Sequence, residues 1–277
     1  MPSDSARSAA RRTPHATGHP GWSLTGSVAS LTDAADATVA RVDLGQPGAG
    51  IMIVPAALSG HRPTPSPAAD PAGDHVLGLD LHGPARLVDH WIRGGDLAAT
   101  YEPGDGRSLR ATAMWRSPGA EVDATAGLRS WEVIVSAQTA LLHADAGLAV
   151  ACDLRAAQVA WGTLAAAGPA ERVAWSATAH ERWAPHARAV LVRRAAAPAA
   201  TATSVLVAVH ANDGLGIAAW LAGGRARVEC RLFNAALEKG VLLRSRVLAV
   251  IGPAANDTSW ADRVVRAYLA LPPMLDT

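Results

Sequence analysis

Apolar and polar residues alternate along most of this chain, with the two-residue period of strands that bury one face. Trp131 to Thr139 (WEVIVSAQT) puts Trp131, Val133, Val135 and Ala137 on one side, against Glu132, Ile134, Ser136 and Gln138. Arg110 to Arg116 alternates likewise, and Arg225 to Phe233 sets Arg225, Arg227, Glu229 and Arg231 against Ala226, Val228, Cys230 and Leu232. Further strand-length segments lie at 76–81, 86–92, 96–101, 148–154, 171–178, 187–194, 204–210, 215–221 and 241–251, with two or three more before residue 60. The expected fold is all-β: a large antiparallel β-sandwich of about fifteen strands, punctuated by turns at sandwich spacing.

Helical spacing is convincing in one place. Trp260, Val264, Ala267 and Leu271 share a side, Asp257 or Thr258 can cap the start, and Pro272-Pro273 stops the run. A C-terminal helix packed on the sheet follows. The Ala-rich stretch 155–170 has helix propensity, but Gly162 and Gly168-Pro169 argue against a long helix there. Residues 1–20 lack periodicity and are expected to be a disordered tail. The prolines of 60–74 suit an exposed loop inside one sandwich domain spanning 21–277.

The segment 204–251 predicts a four-strand antiparallel meander. SVLVAVH ends at His210, Asn212-Asp213-Gly214 turns the chain, LGIAAWL returns, Gly223-Gly224 turns again, and RARVECRLF follows. A longer loop from Asn234 to Gly240 leads into VLLRSRVLAVI, where Arg244 and Arg246 share a face. Loops of a meander alternate between its ends, so 211–214 and 234–240 belong at the same end, about 10 Å apart across one intervening strand.

Composition narrows the function classes. A net charge of +1 with scattered arginines does not suit a nucleic-acid binder. No apolar run reaches the roughly 18 residues of a membrane span. The arginine-containing N-terminus has no apolar stretch behind it, so a cytoplasmic location is expected. Cys152 and Cys230 are too few for a disulfide scaffold and too far apart for a metal clip; they read as buried free thiols, with a single structural disulfide as the alternative.

Residues that need A/T-rich codons are scarce, as under GC-rich coding pressure. Lys239 is the sole lysine among 25 basic residues, Phe233 the sole phenylalanine, and Asn212 and Asn234 are two of three asparagines. Residues that resist such drift are candidates for roles their substitutes cannot fill. Three of the four belong to the polar group His210, Asn212, Asp213, Asn234, Glu238 and Lys239 that the meander would gather at one sheet edge. There Glu238 could act as a base and His210 as an acid, with Lys239 and Asn234 stabilising developing charge. Asn212, Asp213, Asn234, Arg244 and Arg246 would bind a ligand. Asn212 and Asp213 are equally the residues of a plain turn, Glu238-Lys239 equally a solvated pair, and His210 at a strand end equally a packed or surface histidine. No metal or cofactor motif is found: His180, Glu181 and His186 have the wrong spacing for a zinc helix, and Asp80, His82 and His90 form no ligand pattern. Among the nine tryptophans, Trp91 and Trp183 stand beside charged or Gly/Pro-rich residues and suit exposed platforms for sugar rings.

Leu237-Glu238-Lys239-Gly240-Val241 with Arg244 and Arg246, and Gly95-Asp96-Leu97 to Tyr101, resemble a family of uncharacterised β-rich bacterial proteins. The architecture this implies is similar to the large sandwich of galactose-mutarotase-like proteins, which use a histidine acid and a glutamate base. His210 and Glu238 are of those types, but the residues around them depart from the mutarotase motifs, so no activity is carried over. Two readings follow. One is a protein binding a small polar ligand, such as a saccharide, in a groove at one end of the sheet. The other is a non-catalytic interaction module docking an acidic partner on an arginine-bearing face formed by Arg225, Arg227, Arg231, Arg244 and Arg246. The residues fix no reaction and no oligomeric state.

Overall fold

The computed structural model describes residues 21–32, 38–54, 73–118, 127–164, 173–177, 183–194, 202–210, 214–233 and 236–272. The tail 1–20, most of the Pro-rich segment and the residues Asn212, Asp213 and Asn234 lie outside them. Nineteen strands and one α-helix are present among the described residues. They are β1 (Gly21–Thr25), β2 (Val28–Thr32), β3 (Thr38–Asp43), β4 (Ile51–Ile53), β5 (His75–Asp80), β6 (Ala85–Arg93), β7 (Asp96–Pro103), β8 (Leu109–Arg116), β9 (Arg129–Thr139) and β10 (Ala144–Asp145). There follow β11 (Leu148–Arg155), β12 (Gln158–Leu164), β13 (Val173–Ala177), β14 (Ala187–Arg193), β15 (Thr203–Val209), β16 (Gly214–Ala222), β17 (Arg225–Leu232), β18 (Ala236–Leu237), β19 (Leu242–Pro253) and α1 (Asp257–Leu269).

Two antiparallel sheets face each other. The first runs β1-β2-β3-β4-β5-β11-β17-β16, and the second β13-β12-β14-β15-β19-β9-β8-β7-β6. Their inner faces form one core in which Trp115, Val133, Val150, Val207, Val228 and Val247 are buried. The short pair β10-β18 stands apart from both sheets. Helix α1 covers the outer face of the second sheet over β13, β14 and β15, where Trp260, Ala261, Val264, Val265 and Tyr268 meet Leu191, Leu206, Ala208 and Val250. Its buried stripe follows Tyr268 rather than Ala267, which is only partly covered.

The expected sandwich with a C-terminal helix is present; the expected meander is not. β15 pairs with β14 and β19 in the second sheet, whereas β16 pairs with β17 in the first. The chain therefore crosses between sheets after His210 and again between β17 and β19. Only the Gly223-Gly224 turn is a hairpin of the expected kind, with both glycines at positive φ (57° and 75°). The physical reason lies in β15, where Ser204 to Val209 are all buried. A strand covered on both faces belongs in the middle of a sheet, and its apolar run does not say which sheet.

Two stretches singled out by the sequence take part in the sheets. The stretch 155–170 supplies a strand, β12, over its described part, because Val159, Ala160 and Trp161 are buried between β13 and β14. Of the Pro-rich segment 60–74 only Gly73 and Asp74 lie among the described residues, and Asp74 is 2% exposed. It accepts the Arg155 N–H at 2.7 Å and is ion-paired with Arg194, tying the start of β5 to the end of β14.

A bulge in β5 sets the seam beneath the first sheet. Leu77 takes φ 59°, which removes its backbone groups from the ladder. Its N–H donates to Cys152 Sγ at 3.4 Å and its carbonyl accepts the Trp115 indole N–H at 2.9 Å, so neither is left unsatisfied in the core. Next to it Gly78 passes so close to Gly48 that an added Cβ would overlap the Gly48 carbonyl. Cys152 and Cys230 are free and buried, and burial pushes the Cys152 thiol up to about 12.

Candidate functional site

Beyond α1, the outer face of the second sheet is formed by β19, β9, β8, β7 and β6. The registers align their side chains in rows. Asp89 faces Thr100, Thr100 faces Thr112, Thr112 faces Ser136, and Ser136 faces Arg244. Thr100 and Thr112 share a hydroxyl–hydroxyl hydrogen bond of 2.9 Å, and Arg244 Nε donates to Ser136 Oγ at 3.1 Å. At about 4.8 Å per strand, Thr100 to Arg244 spans roughly 14 Å. All four side chains are half-buried, so the row is both ordered and wet.

An apolar row lies beside it: Trp91, Ala98, Met114 and Ile134, continuing to Arg246. Trp91 is 43% exposed, whereas Ala98 opposite it on β7 is fully buried. On the other side Glu102 sits between Arg110, whose Nε donates at 3.1 Å, and Arg86. The Arg110 hydrogen bond, followed by that from Arg86, outweighs desolvation and holds the Glu102 carboxyl below its ordinary range. Glu132 and Arg116 pair at 2.8 Å farther along the face.

The residues singled out by sequence fall in different places. His210 is 2% exposed on this outer face, under the chain that leaves α1. Its Nε2 lies 3.0 Å from the Leu271 carbonyl, and its ring meets Tyr268 edge-on at 6.2 Å. Arg246 joins the same cluster, donating to the Pro272 carbonyl at 2.6 Å with its guanidinium 5.3 Å from the Tyr268 ring centroid. Glu238 and Lys239 are exposed in the turn before β19, where Val241 N–H donates to the Glu238 carbonyl at 3.1 Å. Arg244 stands in the hydroxyl row. Sequence reasoning missed Thr100, Thr112 and Ser136; threonines on the outward side of two neighbouring strands were the available signal.

The arginine-bearing face is not one surface. Arg225, Arg227 and Arg231 belong to the first sheet, and Arg244 and Arg246 to the second. Carboxylates already serve two of the first group: Arg225 pairs with Asp153 at 2.8 Å, and Arg227 with Glu229 at 2.8 Å and Asp80 at 2.9 Å. Arg231 stacks over Trp183 at 4.8 Å. Asp80 is thus committed to an ion pair, and no cluster of three metal-ligating side chains occurs among the described residues. No helix among them is long and apolar enough to cross a membrane.

No family model and no curated protein matches this sequence. Among solved structures, the chain is similar to GH36 alpha-galactosidases. AgaB from Geobacillus stearothermophilus is 11% identical with a TM-score of 0.47, over 83% of this chain and 40% of that one. AgaA from the same organism is 11% identical with a TM-score of 0.44, over 84% and 40%. The alpha-galactosidase from Lactobacillus brevis is 9% identical with a TM-score of 0.41, over 87% and 40%. The chain spans less than half the length of each of these proteins, and the likeness concerns the fold.

Proposed function

We propose that the outer face of the second sheet binds a saccharide along the row Thr100, Thr112, Ser136 and Arg244, with Trp91 and Met114 as its apolar floor. The observation that carries this reading is the pairing of a half-exposed hydroxyl row with an exposed tryptophan on the same face. Sugar hydroxyls both donate and accept, as threonine and serine hydroxyls do, while the Arg244 guanidinium supplies directed donors. The C–H faces of a pyranose pack on an indole. Binding is the activity these groups support. Hydrolysis by paired carboxylates needs two such groups flanking one bond, and among the described residues this row carries one, Asp89, at its end.

The test is calorimetric titration of the full chain with a panel of neutral and acidic mono- and oligosaccharides. Binding to at least one class is expected, weakened about tenfold or more by Arg244→Ala and by Thr112→Val, which is about 1.4 kcal/mol each. A ligand whose affinity ignores both substitutions refutes the placement, and no binding across the panel refutes the ligand class.

A further inference from the structure

β6 is the last strand of the second sheet and pairs only with β7 among the described residues. Five consecutive residues, Asp89 to Arg93, are exposed. The two-residue turn Gly94-Gly95 joins β6 to β7 with Arg93 opposite Asp96. In such a hairpin the pair flanking the turn exchanges both backbone hydrogen bonds, and every second pair does the same. Asp89, Trp91 and Arg93 therefore direct their backbone groups at β7, while those of His90 and Ile92 point away from the sheet. An open edge of this kind is a template for another strand.

Its side chains say which strand. Arg86, Glu102 and Arg110 are mutually paired a few residues away. Asp89 and Arg93 have no ion pair with a described side chain; Asp89 Oδ1 accepts only the neighbouring His90 N–H, at 2.8 Å. They stand two residues to either side of Trp91, on the same face. The arrangement is self-complementary. A second copy turned by a two-fold axis at Trp91 places its Arg93 opposite Asp89, its Asp89 opposite Arg93, and the two indoles side by side. It also sets His90 of each copy opposite Ile92 of the other, the residues whose backbone groups point outward. An axis at Asp89 would oppose like charges, and one at His90 or Ile92 would leave a charge facing Trp91.

We propose that β6 is a homodimer interface, at which two copies pair edge to edge through Asp89–Arg93 and join their second sheets into one continuous sheet. The inference stands on the edge geometry and the charge order, and does not rest on the saccharide reading. An isologous contact of this type closes at two copies, because each β6 edge is used by the other.

Sedimentation equilibrium of the full chain tests it. The wild type is expected to be dimeric with a Kd at or below about 10 μM. Asp89→Arg should weaken association tenfold or more by setting arginine against arginine, and adding Arg93→Asp should restore it by reversing both ion pairs. His90→Pro removes an outward N–H without touching the β7 ladder, and should give a monomer with an unchanged far-ultraviolet circular dichroism spectrum. If His90→Pro fails to fold, the charge swap decides. A wild type that stays monomeric overturns the proposal, as does a dimer indifferent to Asp89→Arg or a double variant no tighter than the single one.

Discussion

Replacing Asp257 by asparagine probes what seats α1 on the second sheet. Asp257 is 4% exposed at the start of the helix. Its Oδ2 accepts from Arg193 Nε at 2.7 Å and Ser204 Oγ at 2.8 Å, and its Oδ1 from Arg193 Nη2 at 3.0 Å and Thr258 N–H at 2.8 Å. Asparagine keeps the shape but turns one oxygen into a donor facing donors and removes the charge opposite the guanidinium. Hydrogen bonds to a charged group contribute about 1.5–3 kcal/mol each, and partial exposure of Arg193 screens part of the Coulomb attraction, so about 2–3 kcal/mol should be lost. That corresponds to a fall in Tm of about 4–12 °C. Urea denaturation followed by tryptophan fluorescence measures it, since Trp260 lies in the helix. Burial alone would raise the Asp257 pKa, but Arg193 and Ser204 outweigh it and the carboxyl is held below its ordinary range. A depressed folded-state pKa contributes stability that is present above the unfolded value of about 4 and is lost as pH falls through the folded value. The gap between wild type and variant should therefore be constant from neutral pH down to about 5 and shrink below about 4. A gap that ignores acid, or a loss under about 1 kcal/mol at neutral pH, refutes the argument.

Other outcomes follow from the packing. Gly78→Ala should cost about 2–3 kcal/mol in denaturant unfolding, because a Cβ there meets the Gly48 carbonyl rather than a flexible side chain. Cys152 and Cys230, buried with thiols raised by burial, should not react with a thiol reagent at mild alkaline pH until the protein is unfolded; prompt modification of the native chain would contradict their placement. Lys239→Arg should leave stability within about 0.5 kcal/mol, since the turn that carries it is exposed.

Alternation along the chain was enough to assign inside and outside within a strand. The pattern of β17, with Arg225, Arg227, Glu229 and Arg231 outward and Ala226, Val228, Cys230 and Leu232 inward, is the one observed. The Gly223-Gly224 hairpin, the terminal helix and the buried cysteines were legible for the same reason: each depends on a few adjacent residues and on the local preferences of glycine, proline and apolar spacing. Sheet membership was not legible. SVLVAVH and LGIAAWL are both apolar enough to neighbour each other, yet β15 is covered on two faces by the core and α1, and β16 closes the edge of the opposite sheet. Burial of whole surfaces, not the intervening turn, chose their partners. The same holds for β12: the Ala-rich stretch around it has helix propensity that Gly162 opposes, and the buried places of Val159 and Trp161 between β13 and β14 decide for a strand.

The candidate site divides along the same line. Rare residues drew attention to Lys239 and Asn234, but rarity in sequence carries no information about where a side chain faces. His210 looked like the polar end of a strand, and only the return of the chain after α1 shows it closed under Leu271. The row Thr100, Thr112, Ser136 and Arg244 is assembled by pairing strands as far apart in sequence as β9 and β19. Each of its members is an unremarkable outward residue of its own strand. A strand's two-residue period is a local property that survives in any register, whereas the row exists in one register only, which the packing of both sheets decides.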